Sequence, residues 1–474
     1  MEYSMHVSSK YLDLTRKKLE VTRLPKEIEL GEQRRWELGT PKAVLEPLLD
    51  FWLETYDWRT QEAHFNTTLP QYRTTINLPS SSSPSDGLRK ADTGQSEPLR
   101  IHFVHKRSKH ANAMPLLFCH TWPSSFIEVE KIVDGLTDPQ SLPSFGVGAQ
   151  QAFHVVAPSI PGFGFSDAST REDFGVNETA DAFNSVMLRL GYESYVAHGT
   201  GCICRALALN HSRHCAAVHT VNPAFVEPTL KQSPAAFLKY RLAMLTRARI
   251  ACLSFGYTPS ELESTVEKDE TIRSLPYSQG PLGPALSRLY SHRPQTLAYS
   301  LCDSPIGLLA GILDVMHARA PSLSPVTSRS RSPFLSPVEL EMQHPRESEA
   351  KATDYMWTPT EVLNFAMLQW LPGPEASLRW LRRAHLDNTP PLTTSRSSIP
   401  LGISSFQERN SHSSASPVMW GSAAWPVRWV KRHQRPASLP AWEAPDLLVL
   451  DMRECFGTVL SSSGGNLPTQ VTST

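Results

Sequence analysis

The sequence predicts an α/β protein: a mostly parallel central sheet flanked by helices, with a helical cap and an N-terminal helical meander. Three observations lead there. From Pro115 to Val221 apolar runs of strand length alternate with helix-forming segments, the rhythm of βαβ units. Within that stretch Tyr195-Val-Ala-His-Gly-Thr-Gly-Cys-Ile-Cys-Arg205 reads as strand, sharp Gly-rich turn and helix. From about Pro223 to His385 the pattern is mostly helical, which puts a cap above the sheet.

Taken in order, residues 8–66 read as helical. Leu12, Leu14, Leu19 and Leu24, then Leu45, Leu49, Trp52 and Leu53, recur at broadly helical spacing. Pro79-Ser-Ser-Ser-Ser-Pro-Ser-Asp-Gly is a low-complexity loop, the tip of a hairpin between strands at Thr74–Leu78 and Leu99–Phe103. Pro115–Cys119 is a strand that runs into His120-Thr-Trp-Pro-Ser-Ser-Phe126. About 30 residues later comes Phe153-His-Val-Val-Ala-Pro-Ser-Ile-Pro-Gly-Phe-Gly-Phe-Ser-Asp167, and Ile203–Leu209 is a helix. Inside the cap, residues 320–337 are Ser/Pro/Arg-rich and unable to pack a core. Residues 387–399 form a second such segment. Both read as added disordered sequence or translated intron. The expected divisions are 1–110 for an N-terminal domain and 111–222 for the first part of the core. The cap is 223–398, with its insertion at about 320–350, the core returns over 399–460, and 461–474 is a disordered tail.

Composition fits a globular chain. With 474 residues and 40% hydrophobic content there is ample core for one large domain or two. Lys plus Arg and Asp plus Glu both number 46, so net charge gives no electrostatic ground for nucleic acid or an anionic membrane. Seven scattered Cys, an odd number, fit a reducing compartment better than a disulfide framework. The first residues, Met1-Glu-Tyr-Ser-Met-His, lack an apolar leader, and no stretch nears the roughly 20 apolar residues of a membrane span. The expectation is a cytosolic protein without a membrane anchor, its oligomeric state open.

Several of these motifs together resemble the microsomal-type epoxide hydrolases, an α/β-hydrolase family. His120–Phe126 is similar to that family's His-Gly-Trp-Pro-Gly-Ser turn, and Pro161–Ser166 matches its Pro-Gly-Phe-Gly-Phe-Ser loop. Leu12-Asp-Leu-Thr-Arg-Lys-Lys-Leu-Glu, Arg23-Leu-Pro and Tyr56-Asp-Trp-Arg-Thr-Gln-Glu62 resemble its N-terminal domain. Glu443-Ala-Pro-Asp-Leu-Leu448 and Asp451-Met-Arg-Glu454 resemble its last helix. The likeness runs from about residue 5 to residue 457. It implies two-step covalent catalysis without metal or organic cofactor. An Asp on the turn after a strand opens the epoxide as an ester, and a His oriented by a carboxylate activates water to hydrolyse it. Two cap Tyr hydroxyls bond the epoxide oxygen, and backbone N–H groups hold the oxyanion.

This sequence departs from that pattern at each chemical position. Between Ala197-His-Gly199 and Ile203-Cys-Arg205 the turn is about three residues shorter than the family's Ala-Gln-Gly-Gly-Asp-Trp-Gly-Ser, and the Asp lies in the missing part. Thr200 and Cys202 are the substitutes on offer, and both read first as ordinary loop residues. In Arg432-His-Gln-Arg-Pro-Ala-Ser-Leu-Pro-Ala-Trp-Glu443 the base position falls on Ser438. His433 sits about five residues early and reads as a surface or strand-edge His. Arg409 takes the place of the orienting acid, with Glu408 one residue before. One cap Tyr position falls on Leu286, with Tyr290 a helical turn later; the other falls on Leu381. Thr121 replaces a Gly whose freedom lets the backbone approach substrate. His120, Trp122, Pro123, Phe163 and Phe165 match and line a pocket or pack the core equally well.

Three readings follow. The chain is an epoxide-hydrolase-like protein that has lost its catalytic groups; or it is an active enzyme read through a mis-spliced gene model; or it is a non-catalytic binder of a small apolar epoxide or related ligand. Cys202 and Cys204 lack the second pair that a zinc site needs, and no phosphate loop or basic aromatic stripe is present.

Overall fold

A computed structural model describes the chain apart from residues 32–33, 79–96, 145–147, 149, 200, 264, 266–289, 291, 320–354, 389–391, 408–415 and 463–474. The insertion expected at 320–350 and most of the tail therefore lie outside the described residues.

Eight strands form one sheet in the order β1-β2-β4-β3-β5-β6-β7-β8. They are β1 Gln71–Leu78, β2 Glu97–Lys106, β3 Met114–Cys119, β4 Phe153–Pro158, β5 Tyr195–Gly199, β6 Cys215–Val221, β7 Leu401–Gln407 and β8 Val427–Pro436. β1 and β2 pair antiparallel, as do β2 and β4; every pairing from β4 across to β8 is parallel. The expected hairpin of β1 and β2 is present, and it joins the main sheet rather than standing apart. β3, β4 and β5 are almost wholly buried. Strands covered on both faces need continuous apolar runs rather than alternation, which is what Pro115–Cys119 and Phe153–Ala157 supply.

Helices cover both faces. Val176–Arg189 and Cys202–Asn210 lie on one, where Tyr195 bonds Asn184 Oδ1 at 2.9 Å. Pro445–Ser462 covers the other, with Phe456 edge-on to Phe153 at 5.9 Å. The N-terminal region is helical at Ser9–Glu20, Lys42–Glu54 and Trp58–Thr68, but the described residues between 21 and 41 form no α-helix. Asp57 starts the third of these helices by accepting from the backbone of Arg59 and Thr60. The cap contributes Pro234–Thr246, Ala251–Ser254, Pro294–Leu301, Pro305–Arg319, Pro359–Trp370 and Pro374–Asp387. Thr358, Pro359 and Glu361 form a capping box with Pro in the first turn, so the start of Pro359–Trp370 is fixed locally. That helix is buried on every side. Tyr56 donates to Asn364 Oδ1 at 2.7 Å, and Trp370 Nε1 donates to Thr15 Oγ1 at 2.8 Å, so it ties the N-terminal helices to the core.

The segment 387–399, expected to be disordered, is packed where it is described. Leu392, Ser397 and Ile399 are buried. The reason is Arg205, whose guanidinium donates to the Leu392, Ser395 and Ala424 carbonyls and stacks over Trp425. A buried guanidinium requires such acceptors, and a chain without regular structure has carbonyls to spare.

Candidate functional site

The strand order decides where a site forms. From β3 the chain goes to β4 on one side and later to β5 on the other, so the winding reverses between β3 and β5. Loops leaving neighbouring strand ends diverge there and open a crevice. Cys119 and Gly199 are register partners at that point, which sets the His120–Phe126 loop beside the bend after β5.

The bend is tight. β5 ends at Gly199 and the next helix begins at Cys202. A Cβ on Gly199 would stand 2.6 Å from the Cys119 carbonyl oxygen and 2.9 Å from Cys119 Cβ, so only glycine fits. Gly201 has φ of 136°, open to glycine and strained for other residues. Cys202 is not a loop residue but the first residue of the helix. Burial pushes its thiol up to about 12 despite the helix N-terminus, so it stays protonated at neutral pH and is a poor nucleophile. Thr200 lies outside the described residues.

Opposite the bend, the Ile160 N–H donates to His120 Nε2 at 3.0 Å. Burial lowers His120 to about 3, so its imidazole is neutral at physiological pH. His120 meets Phe163 edge-on at 5.6 Å, and Phe163 meets Trp380 of the cap at 5.6 Å. Trp122 is buried, its peptide to Pro123 is cis, and its ring lies 5.0 Å from that of Tyr290. The Tyr290 hydroxyl occupies the space a side chain at Gly311 would fill, and burial raises its pKa. Gln369 braces the loop by donating to the Pro123 and Ser124 carbonyls at 3.3 Å. The structure thus gathers His120, Trp122, Pro123, Phe163 and Tyr290. Phe165 is elsewhere: its ring packs on Tyr3, His102 and Phe126, so it serves the N-terminal contact and not the crevice. Leu381 is buried and offers no donor, whereas Leu286, Glu408 and Arg409 lie outside the described residues.

After β8 the loop at Ser438 is held firmly. Glu443 Oε2 accepts from the backbone N–H groups of Ser438 and Leu439, and Glu443 Oε1 accepts from Trp357 Nε1 at 3.1 Å. The side chain that this loop presents is a hydroxyl.

His433 lies on β8, the edge strand of the sheet, but its side chain is not a surface group. Its side chain is 10% exposed, stacks on Phe406 at 4.6 Å, and donates from Nε2 to Asp451 Oδ2 at 2.6 Å. Asp451 anchors a chain of buried polar groups across the sheet. Ser404 Oγ donates to Asp451 Oδ2 at 2.5 Å and accepts from His219 Nε2 at 3.0 Å. His219 and His198 meet through their Nδ1 atoms at 2.9 Å. Burial holds both imidazoles below their ordinary range. With Nε2 of His219 donating, its Nδ1 must accept, so His198 Nδ1 carries the proton. Sequence reasoning missed this chain. Its one local signal is the presence of His198, His219 and Ser404 inside otherwise apolar strands.

At Trp380 a groove of about 290 Å³ runs between the loop after β4 and the cap; Pro161, Phe174, Ala376 and Trp380 line it together with the charged side chains of Arg171, Glu172, Arg379, Arg382 and Arg383. Among the described residues there is no cluster of three or more His, Cys, Asp or Glu that would hold a metal ion. Among them, too, no single helix is long and apolar enough to cross a membrane.

Residues 1–129 match the family model for the epoxide hydrolase N terminus, and residues 114–307 match that for the alpha/beta hydrolase fold. A putative epoxide hydrolase of Stigmatella aurantiaca is 30% identical over 449 residues, covering 93% of this chain and 81% of that protein. Epoxide hydrolase 1 of Sus scrofa is 27% identical over 437 residues, covering 90% and 82%. Among solved structures, juvenile hormone epoxide hydrolase from the silkworm Bombyx mori superposes with a TM-score of 0.70 at 21% identity, over 98% of this chain and 95% of that one. The epoxide hydrolase of Aspergillus niger gives 0.66 at 20%, over 98% and 96%. At those identities the structural likeness shows the fold.

Proposed function

The chain belongs to the microsomal-type epoxide hydrolase family, and on that footing we propose that it is a member without ester-forming catalysis that binds small apolar ligands beneath its cap. One observation carries the first half. No carboxylate occurs between Gly199 and Cys202, where the bend over the strand edge must hold the attacking group. The Ser438 hydroxyl on the loop after β8 and the protonated Cys202 thiol point the same way. Losing either nucleophile or base from a unit of this kind costs roughly 10⁴–10⁶-fold in rate, and a further loss adds little. The second half is supported by the Phe163–Trp380 pair and by the groove in which Trp380, Pro161, Phe174 and Ala376 give apolar surface beside the polar side chains of Arg171, Arg379 and Arg383. Its ligand class is an epoxide or the corresponding diol.

Incubating the purified chain with styrene oxide tests this. Diol formation is expected at the uncatalysed rate, with no covalent adduct in the intact mass. An adduct on any residue, or turnover abolished by Cys202→Ala, would refute the catalytic half. A rise in melting temperature with either styrene oxide or its diol is expected, and an unchanged melt in both would refute the binding half. A transcript restoring an Asp at the bend and a His at position 438 would instead favour the mis-spliced active enzyme.

A further inference from the structure

The first cap helix, Pro234–Thr246, is apolar on two opposite sides. Ala236, Tyr240 and Ala243 are buried, with Tyr240 edge-on to Trp420 at 5.5 Å. Leu238, Leu242 and Leu245 repeat at the same spacing of four and three residues, offset by two positions. At 3.6 residues per turn that places them on the far side of the helix. They are 56%, 40% and 82% exposed, and Leu230 and Ile250, 58% and 49% exposed, flank them. A helix with one face packed should turn polar residues outward; this one turns leucines out instead.

Along the segment that carries the stripe, between Glu227 and Glu261, charge has one sign. Residues 228–260 contain Lys231, Lys239, Arg241, Arg247 and Arg249 and no Asp or Glu. Among the described residues none of these five cations has an acidic partner within ion-pair distance. All five are exposed, and Arg241 and Lys239 lie to either side of the leucine stripe on the helical wheel. Exposed leucines with cations along their borders suit a surface that is apolar below and anionic above. A second copy of the chain is a poor fit, because a two-fold contact would set five positive charges against five. Nucleic acid is a poor fit too, since it has no use for the leucines.

We propose that this face is an interfacial docking surface for an anionic lipid bilayer, with Leu238, Leu242, Leu245 and Ile250 in the acyl boundary and the five cations among the headgroups. The surface stands apart from the crevice and does not depend on the catalytic reading. The chain's overall neutrality is no obstacle, because the potential near a membrane is set within about 10 Å by the charges that face it.

The test is co-sedimentation of the full chain with phosphatidylcholine vesicles, with and without phosphatidylserine. Binding is expected to the mixed vesicles, to weaken in high salt, and to be poor on phosphatidylcholine alone. Each cation removed should lower partitioning about fivefold, so Lys239→Gln with Arg241→Gln should lower it roughly 25-fold. Leu242→Glu with Leu245→Glu should abolish it without shifting the melting temperature, since both side chains are exposed. A nitrobenzoxadiazole label on exposed Cys252, placed in a Cys302→Ser background, should shift to the blue on binding; the other cysteines are partly or fully buried. No sedimentation with the mixed vesicles, or undiminished sedimentation of the double-Glu variant, overturns the proposal. So does a concentration-dependent dimer of the free chain that the same double-Glu variant dissolves, which would give the face to a second copy.

Discussion

At Asp451 one carboxylate oxygen, Oδ2, accepts from two donors, His433 Nε2 and Ser404 Oγ, while the other faces Lys431 Nζ as an ion pair at 3.3 Å. The Asp side chain is fully buried, so removing it strips the buried His433 and Ser404 of their acceptor, whereas Lys431 keeps solvent and Glu454. Asp451→Ala should cost about 3–5 kcal/mol in urea unfolding, the scale of breaking a buried charged pair. A loss under about 1 kcal/mol would mean that His433 and Ser404 find other partners. Ser438 poses the reverse problem, because its loop keeps the brace from Glu443 while lacking an imidazole. Ser438→His should therefore be tolerated yet yield no diol from styrene oxide, as the bend still offers no carboxylate. Diol production by that variant would show that some other group takes over the attack.

Among the elements, the bend between β5 and its helix is the least tolerant of change. Gly199→Ala would press a methyl group on the Cys119 carbonyl and within 3.2 Å of Cys204 Sγ. Both belong to packed core, so overpacking of about 1–3 kcal/mol is expected, read as a lower urea midpoint. An unchanged midpoint would show that β3 and β5 can separate at their ends. This bend was legible in the sequence because strand, glycines and helix are consecutive there and local preference agrees with the fold. The same holds for the β1–β2 hairpin. What the sequence hid depends on distance along the chain. His433 reads as a surface residue until the helix Pro445–Ser462 folds back and brings Asp451 against it. Residues 387–399 look disordered by composition, and only Arg205, almost 190 positions earlier, reveals why the described ones from Leu392 on are held. Phe165, two residues from Phe163, faces the N-terminal segment, a choice made by the positive φ of Gly162 and Gly164 rather than by any apolar pattern.

For the molecule as a whole, a net charge of zero conceals two uneven distributions: cations gathered on one cap helix, and histidines gathered in the core. His102, His105, His120, His198 and His219 are all buried, and burial is the largest cause holding each of them below the ordinary 6.5. His102, His120 and His198 are brought to about 3, and His105 to about 4. Unfolding returns all five to water, where they take up protons at their usual pH. Above about pH 6.5 both states are neutral at these positions, so the histidines give stability no pH dependence. As pH falls below that, the unfolded chain binds protons that the folded chain refuses. Stability then drops by up to about 1.4 kcal/mol per pH unit for each histidine, until the folded imidazoles of His102, His105, His120 and His198 titrate near pH 3–4. The urea midpoint should thus be lower at about pH 5 than at about pH 7.5, before most carboxylates begin to protonate. Replacing His198 and His219 together with an apolar pair such as Leu and Val would remove two of the five contributions and flatten that slope. A midpoint that is the same at both pH values in the unaltered chain would mean that water reaches these rings in the folded state and that the core is looser than its packing indicates.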